Sequence, residues 1–502
     1  MGIIVGIDLG TTNSNIARLD DTGRPVMIEN TNSSESPNIT PSVVAFEGGK
    51  TLVGESAKEI AHLNPNGAVF QKWKLAMQDP QPVTRAGITK TPVELSSLVL
   101  QELITAAQQK TGQDVESAVI TIPAKFEEEA RRNTIAAGEA IGLRIKDIIN
   151  EPTAALLYYS LSHQIVGKVI VFDFGGGTLD VTAAEVQGQD IRVICSNGDN
   201  VGGQNFDDAL EALIVASFEK ETGETFNKDT HSLGASPEIY KKRLSAKSEV
   251  QAQVTGGTAG RTIVTVTRAE FEKATAMLFA RASMLLENTM DEAKLTTGDI
   301  TDVYLVGGST RMPMVVSLLT EFFKKAPIAL VNPDEAVALG AALYAGLKAA
   351  PAHLNPAQRA AVKQVQLQEV ANHYYGTISI TELSGGLKAL RVVTVIPKNT
   401  PIPHTEEQTY FTASDDQTAV NVRVTQSATN EDDPDFVRII WEGELGPLPG
   451  GRPAGQPILV KYSYDSNQVM QCTFTDVGTG ISKEVDLSFA DSETHKSGFS
   501  VE

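Results

Sequence analysis

Two stretches of the chain share one pattern of apolar and polar positions: an apolar run, an aspartate, one apolar residue, and a turn containing glycine and threonine. The first apolar run is residues 3–7 and leads to Asp8; the second is residues 169–172 and leads to Asp173. Short apolar runs bounded by turn residues predict buried strands. Because a whole domain's length separates the two copies, we expect two similar lobes that each bring a strand–loop–strand unit to a shared cleft.

The second copy has the composition of a loop that holds phosphate. Gly175, Gly176 and Gly177 are followed by Thr178. Consecutive glycines allow positive φ angles and bring several backbone N–H groups close to one anionic oxygen. Asp173 repels phosphate, so we expect it to act through a hydrated cation such as Mg²⁺. One such loop is equally compatible with a glycine-rich hairpin, but the presence of two copies disfavours that interpretation.

Helical periodicity and strand periodicity divide the rest of the chain. Thr91, Pro92 and Glu94 have the spacing of a capping box and predict a helix that ends at Lys110. From residue 374 onward, short alternating strands with frequent turns predict a β-sandwich. Further helices are predicted at 127–142, 207–219 and 240–250, and strands at 118–123, 390–396, 408–412, 419–425, 458–464, 469–475 and 484–489.

Composition narrows the possible partners and location. The 502 residues predict about three domains, and 42 basic against 62 acidic residues give a net charge of −20, which disfavours nucleic acid or an anionic membrane as a partner. Cys195 and Cys472 each lie in an apolar run, so we expect buried free thiols. The first strand starts within three residues and no apolar run approaches about 18 residues, so we expect neither a signal peptide nor a membrane span, and a cytoplasmic location.

Five motifs follow one another along the chain. They are DLGTTNS from Asp8, NEPTAA from Asn150, DFGGGT from Asp173, VGGSTRMP from Val306 and NPDEAVALGAA from Asn332. In this order they resemble the seventy-kilodalton heat-shock chaperones, the DnaK family of the actin-like ATPases, and the resemblance covers residues 3–347. It implies an α/β actin-like two-lobed ATPase domain followed by an all-β sandwich that binds peptides.

The resemblance also implies the site residues. The cofactors implied are ATP or ADP with Mg²⁺, and K⁺ as a further ion, with Asp8 and Asp173 holding the metal through water. The catalytic set is Lys74, Glu151, Asp173, Thr178, Asp8 and Asp180, where Asp180 either supports the residues that hold the cation or accepts a proton. The nucleotide-binding set is Gly10, Thr11, Thr12, Asn13, Gly175, Gly176, Gly177, Gly202, Gly203, Lys247, Gly307, Gly308, Ser309, Arg311 and Asp334.

Two lysine positions are less well determined by this comparison. Counting back from residues 75–77 places the phosphate-contacting lysine at Lys74, counting forward from Phe70 places Trp73 there, and Lys72 is adjacent. We expect Lys74, because an ammonium stabilises developing phosphoryl charge; a solvated basic turn around a buried tryptophan is the alternative.

The second position is Lys247, which matches the family's adenosine-clamping lysine. The glutamate expected three residues before it is Leu244, and the serine expected four residues after it is Gln251. This mismatch predicts a weak ribose side of the site. Arg311 is expected to stack on adenine, a role that suits a planar guanidinium.

Domain organisation is predicted from changes in composition. We expect an ATPase domain at 1–349, a linker at 350–371, a sandwich at 372–490 and a flexible tail at 491–502 without the family's helical lid. The linker alternates apolar residues with glutamine, and a strand-like linker can add to a sheet edge. By resemblance, Tyr410, Val420 and Val422 line a peptide cleft, with ordinary sandwich core as the alternative for all three.

Communication and partners are also implied by the family. Pro123, Arg131 and Glu369 are expected to relay nucleotide state between domains. Asp147 takes the place of an arginine that binds a J-domain co-chaperone, so charge reversal predicts poor binding of an ordinary J-domain. Unfolded or extended polypeptides and a nucleotide exchange factor are the other expected partners.

The function predicted from these features is a slow ATPase that couples hydrolysis to polypeptide binding. One alternative is a non-hydrolysing nucleotide-sensing adaptor of the same fold, favoured by Leu244, Gln251, the altered linker and the short C-terminal segment. The other is a small-molecule kinase of the actin-like superfamily, which the sandwich disfavours because a sugar kinase has no use for a peptide cleft.

Overall fold

The computed structural model describes residues 2–33, 36–64, 66–329, 332–382, 388–465 and 468–487, except the side chain of His62. The described residues form two compact units: one within Met1–Phe126 and Asn133–Leu367, the other within Glu127–Arg132 and Gln368–Glu502. The predicted tail at 491–502 lies outside the described residues.

Strands dominate the first half of the first unit. Its elements are β1 Ile3–Leu9, β2 Asn13–Leu19, β3 Pro25–Met27, β4 Thr40–Pro41, β5 Val43–Glu47, β6 Lys50–Val53, α1 Glu55–Leu63, β7 Ala68–Gln71, β8 Val83–Arg85, β9 Ile88–Lys90, α2 Pro92–Thr111, β10 Val115–Ile122, α3 Glu128–Glu139, β11 Arg144–Asn150 and α4 Glu151–Ser162. The capping box at Thr91 is confirmed: the hydroxyl of Thr91 accepts the Glu94 N–H, and the Glu94 carboxylate accepts the Thr91 N–H.

The second half of this unit continues from β12. Its elements are β12 Val166–Phe174, β13 Leu179–Gln187, β14 Asp190–Asp199, α5 Gly203–Thr222, β15 His231–Leu233, α6 Pro237–Ala246, β16 Glu249–Gly256, β17 Gly260–Thr267, α7 Arg268–Ala274, α8 Ala276–Glu292, β18 Ile300–Val306, α9 Pro313–Phe323, β19 Ile328–Ala329, α10 Ala336–Lys348, α11 Pro356–Lys363 and β20 Gln366–Gln368.

The two main sheets of this unit repeat one pairing pattern. β1 is antiparallel to β2 and parallel to β10, and β12 is antiparallel to β13 and parallel to β18. The complete orders are β11-β10-β1-β2-β3, with β4 also on β2, and β19-β18-β12-β13-β14-β20. The sequence repeat thus corresponds to a repeat in topology, and it places the turns after β1 and β12 at equivalent ends of their sheets.

Helix α10 packs against α4 and β1 through small residues. Its residues from Ala336 to Gly346 are all buried. A Cβ at Gly340 would lie 1.6 Å from the carbonyl oxygen of Ala154, and a Cβ at Gly6 would lie 2.0 Å from the backbone nitrogen of Ala342. Glycine is therefore required at both positions by close backbone approach, which explains the alanine and glycine content of this predicted segment.

One predicted helix ends earlier than expected. The helix predicted at 240–250 ends at Ala246, and Val250 lies in β16. In that strand Val250, Ala252 and Val254 are buried and alternate with more exposed residues. This period of two is the strand signal that the helical interpretation missed.

The predicted linker region contains more structure than expected. Helix α11 lies within it and begins with a capping box at Asn355. After this helix, Val365 is buried, and the Gln366 N–H donates to the carbonyl oxygen of Gln189 at 2.9 Å, so that β20 extends the sheet beyond β14. The predicted addition of a linker strand to a sheet edge is therefore present in this structure.

The second unit contains two four-stranded antiparallel sheets. The sheet orders are β22-β21-β24-β25 and β23-β26-β27-β28, and Tyr462, Phe474 and Val424 are buried in the core that they share. The predicted strand list lacked β21 and β25. The strands are β21 Tyr374–Glu382, β22 Lys388–Ile396, β23 His404–Phe411, β24 Val420–Ser427, β25 Arg438–Leu445, β26 Pro457–Tyr464, β27 Met470–Asp476 and β28 Ser482–Asp486.

Cys195 and Cys472 are both buried and neither forms a disulfide, as predicted. Burial raises the pKa of the Cys472 thiol well above its usual range, so this side chain stays protonated at neutral pH. Among the residues that the structure describes, no helix is both long enough and apolar enough to cross a membrane.

The contact at Gly340 gives a stability prediction. Gly340→Ala forces a methyl group into backbone 1.6 Å away, and overpacking of this kind costs about 3 kcal/mol or more. We expect the melting temperature to fall by about 5 °C or more. The matched control is Gly298→Ala in an exposed turn, where the nearest atom to a new Cβ is 3.7 Å away. Equal melting temperatures for the two variants would contradict the packing argument.

Candidate functional site

The loops after β1 and β12 line one cavity in the first unit. It brings together both predicted phosphate loops, the start of α4 and the segment before α10, all of them distant in sequence. Its lining residues are Asp8, Gly10, Thr11, Thr12, Asn13, Asn15, Lys74, Glu151, Asp173, Gly175, Gly176, Thr178, Gly307, Gly308, Pro333, Asp334 and Val337. Asn15, Pro333 and Val337 were not predicted; Asn15 donates to the Asp334 carbonyl oxygen at 3.3 Å and so joins two of the predicted motifs.

The ammonium of Lys74 lies inside this cavity. It is buried and forms an ion pair with Glu151. Trp73 is buried beside it and donates to the hydroxyl of Ser96 at 3.0 Å, whereas Lys72 is exposed and lies 3.6 Å from Asp208. The geometry therefore favours Lys74 over its two neighbours.

Lys72 has an irregular backbone conformation. Its φ of 64° lies in the left-handed region, which residues with a Cβ rarely adopt. It lies between β7 and the following 3₁₀ helix, so the strand ends before Trp73 and Lys74.

Four carboxylates lie around this single ammonium. Burial, and after it the neighbouring charge of Glu151, raises the pKa of Asp8 to about 7 and that of Asp180 to about 8, while Lys74 opposes both shifts. The pKa of Asp173 is raised well above its usual range by burial, and then by Glu151, Asp180 and Asp8. The site therefore has more carboxyl groups than its one lysine can balance, and without bound cations burial favours the protonated form of Asp8, Asp173 and Asp180.

The hydrogen bonds of Asp180 leave one oxygen available. Oδ1 of Asp180 accepts the Ala124 N–H at 3.0 Å, and Oδ2 has no hydrogen-bond partner among the described residues. Asp180 itself is fully buried. A buried carboxylate with a free oxygen beside the cavity has the capacity to accept a proton or hold an ordered water.

The glycines of the second phosphate loop are required by close packing against the first loop, not by positive φ angles. None of Gly175, Gly176 and Gly177 has a positive φ, so that part of the prediction is wrong. A Cβ at Gly176 would instead lie 2.0 Å from the Thr12 hydroxyl, and one at Gly177 would lie 2.7 Å from the Thr11 hydroxyl. The two lobes thus meet loop against loop, and only hydrogen atoms fit between them.

Gly202 and Gly203 lie behind the second phosphate loop. A Cβ at Gly202 would lie 2.4 Å from the carbonyl oxygen of Gly176, and the Gly203 N–H donates to the carbonyl oxygen of Gly175 at 3.0 Å. Ser309 donates its hydroxyl to the same carbonyl at 2.8 Å. These predicted nucleotide-binding residues therefore support the loop from its far side.

The structure favours Lys241 over Lys247 as the clamping lysine. Lys247 is exposed directly after α6, and Gln251, at the position of the expected serine, lies in strand β16. Lys241 is the buried lysine of this helix: its Nζ lies 2.8 Å from the Gly203 carbonyl oxygen and 2.8 Å from Asp207. The spacing expected of the clamp, glutamate three before and serine four after, is satisfied around Lys241.

Those two residues are Glu238 and Ser245, so the mismatch found around Lys247 is absent around Lys241. The spacing of Glu238, Lys241 and Ser245 is visible in the sequence, but the prediction of one helix through residue 250 favoured the later lysine. At the rim of the same cleft, Arg311 is half-exposed and its guanidinium donates to Asp334 at 2.8 Å.

The donor set fits a hydrated divalent cation. Within the described residues, no group of three or more His, Cys, Asp or Glu side chains is arranged to hold a metal directly. Asp8 is nevertheless partly buried and Asp173 buried on the cavity wall, where carboxylates outnumber cations. A cation with its own water shell suits such a site, because water molecules span the distance between the ion and the carboxylates.

A family model places these features in a known group. The model described as Hsp70 protein matches residues 4–81 and 77–497. The chain belongs to the Hsp70 family. Members of this family are in general ATPases with a chaperone role, and they bind ATP or ADP with Mg²⁺.

In the sandwich of this Hsp70 chain, the three predicted cleft residues differ in exposure. Val422 is buried in the core, whereas Tyr410 and Val420 are partly buried and pack against it. The hydroxyl of Tyr410 donates to Gln408 at 2.8 Å. Val422 therefore fits the core alternative best, while Tyr410 and Val420 retain surface that a peptide can contact.

The position of Asp147 corrects the argument about a J-domain. Its side chain is about 1% exposed, lies 2.9 Å from Lys348 and accepts a hydrogen bond from the Tyr344 hydroxyl at 2.9 Å. A carboxylate paired inside the fold does not face a partner, so the structure does not support the predicted charge repulsion, and J-domain binding stays a prediction.

The three predicted relay residues are all buried. Pro123 follows β10 in the first unit, and Arg131 and Glu369 lie in the second unit. Their role in transmitting nucleotide state stays a prediction.

The raised pKa of Asp180 predicts a pH-dependent stability. Without nucleotide and Mg²⁺, the native state binds more protons at this site than the unfolded state between pH about 4 and about 8, so stability falls as pH rises through that window. Asp180→Asn keeps an acceptor for Ala124 and carries no charge. We expect its melting temperature to exceed that of the native chain by more at pH 8.5 than at pH 5. The exposed Asp229→Asn should show no such trend, and a gain independent of pH would reject the explanation.

The correction at α6 predicts unequal effects of two lysine substitutions. Lys241→Ala removes the ammonium beside Gly203, and we expect ADP affinity to fall about tenfold, the usual effect of losing a charged hydrogen-bond donor. Lys247→Ala should change ADP affinity by less than about twofold. Calorimetric titration with ADP and Mg²⁺ measures both, and a larger loss for Lys247→Ala would restore the original assignment.

Proposed function

We propose that this chain is an ATP-dependent chaperone that binds unfolded or extended polypeptide and hydrolyses ATP slowly to control that binding. The observation that carries the proposal is the convergence of two phosphate loops on a buried Lys74–Glu151 pair. Binding ATP without hydrolysing it does not require an ammonium and four carboxylates around the cavity, whereas hydrolysis requires groups that stabilise charge and move a proton.

In the proposed reaction, water attacks the γ-phosphorus and the bond to the bridging oxygen breaks, leaving ADP and phosphate. Lys74 offsets charge that develops on the transferred phosphoryl group, and the backbone of Gly10, Gly175 and Gly176 lines its path. Glu151 orients the ammonium and the attacking water. Asp180 has an unpartnered oxygen and a raised pKa, which suit it to accept the proton that water loses. Mg²⁺, when bound near Asp8 and Asp173, supplies positive charge to the phosphate oxygens.

The sandwich supplies the polypeptide site in this proposal. Tyr410 and Val420 are partly exposed beside the core, and Phe411 on the same strand as Tyr410 is 66% exposed. An apolar surface of this kind on an edge strand suits an extended chain that adds backbone hydrogen bonds and buries alternate side chains. A small-molecule kinase has no use for it.

The adaptor alternative loses its main support. It depended on the absence of glutamate and serine partners for the clamping lysine, and Lys241 has both in Glu238 and Ser245. Steady-state ATP hydrolysis with and without an unfolded client distinguishes the functions. Turnover stimulated by the client supports the chaperone, absence of turnover with tight nucleotide binding supports the adaptor, and turnover dependent on a sugar supports the kinase.

The catalytic assignment predicts which lysine matters. Lys74→Ala should reduce ATP turnover by about a hundredfold or more, because a positioned charge is lost from the transition state. Thr178→Ala and Glu151→Ala should cause losses of similar size. The matched control is Lys72→Ala, since Lys72 is exposed and only 3.6 Å from a surface aspartate. Single-turnover hydrolysis measures all four, and a large loss in Lys72→Ala with none in Lys74→Ala would show that the register is wrong.

A further inference from the structure

A buried aromatic ring faces the ammonium of Lys74. Nζ of Lys74 lies 5.8 Å from the centroid of the Phe126 ring. Both residues are buried, with exposed fractions of 6% and 7%. A cation over an aromatic face within about 6 Å is attracted by the ring quadrupole, and the attraction strengthens when both groups are desolvated.

Lys74 needs such a second contact. Its main chain is fixed beside the buried Trp73, but four flexible bonds separate the backbone from the ammonium. The ion pair with Glu151 fixes one direction only. Phe126 limits the remaining freedom without neutralising the charge and without competing for the phosphate oxygens, which a further carboxylate would do.

The ring is itself held by the backbone on both sides of the cleft. The Phe126 N–H donates to the Pro123 carbonyl oxygen at 3.1 Å, which makes a tight turn after β10. Within that turn, the Ala124 N–H donates to Asp180 on β13 of the other lobe at 3.0 Å. The position of the ring therefore depends on the approach of both lobes.

We propose that Phe126 is a positioning residue that aims the ammonium of Lys74 between Glu151 and the phosphoryl group being transferred. The proposal rests on the proposed ATPase function and adds to it a residue that touches neither nucleotide nor water. Its effect belongs to the chemical step, so it should change kcat and leave nucleotide binding intact.

Three substitutions test this role in the full chain. Phe126→Leu removes the π face at similar volume, and we expect kcat for ATP to fall about fivefold with KM within about twofold. Phe126→Tyr keeps the face and should retain kcat. Phe218→Leu changes a buried phenylalanine in the core of the second lobe and controls for loss of packing; it should leave kcat unchanged. In a Lys74→Ala background, Phe126→Leu should have no further effect.

A second measurement does not depend on turnover. The rate at which acetic anhydride acetylates Lys74 in nucleotide-free protein, read by mass spectrometry against Lys241 as an internal reference, should rise about threefold or more in Phe126→Leu and stay unchanged in Phe126→Tyr. If the native chain does not hydrolyse ATP, the proposed function is refuted, but the acetylation rate of Lys74 still tests whether the Phe126 ring restrains the ammonium. An active chain with equal kcat and equal acetylation in Phe126→Leu would overturn the inference.

Discussion

The gathering of four carboxylates around one ammonium is the constraint on which this cleft depends. Asp8, Glu151, Asp173 and Asp180 lie at or near one cavity with Lys74, and desolvation is the largest cause of the raised pKa values of Asp8, Asp173 and Asp180. Without bound cations such a site lowers the stability of the folded state, because buried like charges repel and remain incompletely solvated. The folded chain tolerates it because the surrounding sheets fix the strand ends from which three of these residues project.

The repeated topology places those residues. Asp8 is on β1 and Asp173 is on β12, and each strand has the same antiparallel and parallel neighbours in its own sheet. Asp180 begins the strand that follows the second phosphate loop, while Glu151 begins α4 directly after β11. Equivalent strand ends from two lobes therefore supply one site, and the glycine loops let the lobes come within van der Waals contact.

The sequence was most informative where function restricts the backbone. The two loops, the capping box at Thr91 and the small residues of α10 carry patterns that a single physical requirement explains. It was least informative where a role depends on the exact position of a residue in the chain. Counting from two sides left Lys74 and Trp73 as alternatives, and the clamping lysine was expected at Lys247, beyond the end of α6. Burial and contacts in the structure favour Lys74 and Lys241.

By itself the sequence determined the positions of the two phosphate loops and the sandwich, because strand periodicity and glycine motifs are local signals. The actin-like fold class and most of the residues on the cavity wall were implied by the resemblance of five motifs to a known family. Only the tertiary structure decided that Lys241 lies beside Gly203, that Asp147 is paired with Lys348, and that Phe126 faces Lys74. Each of these contacts joins residues far apart in the chain. Such pairings are set by how sheets and helices pack, and no local pattern of residues encodes the distance between them.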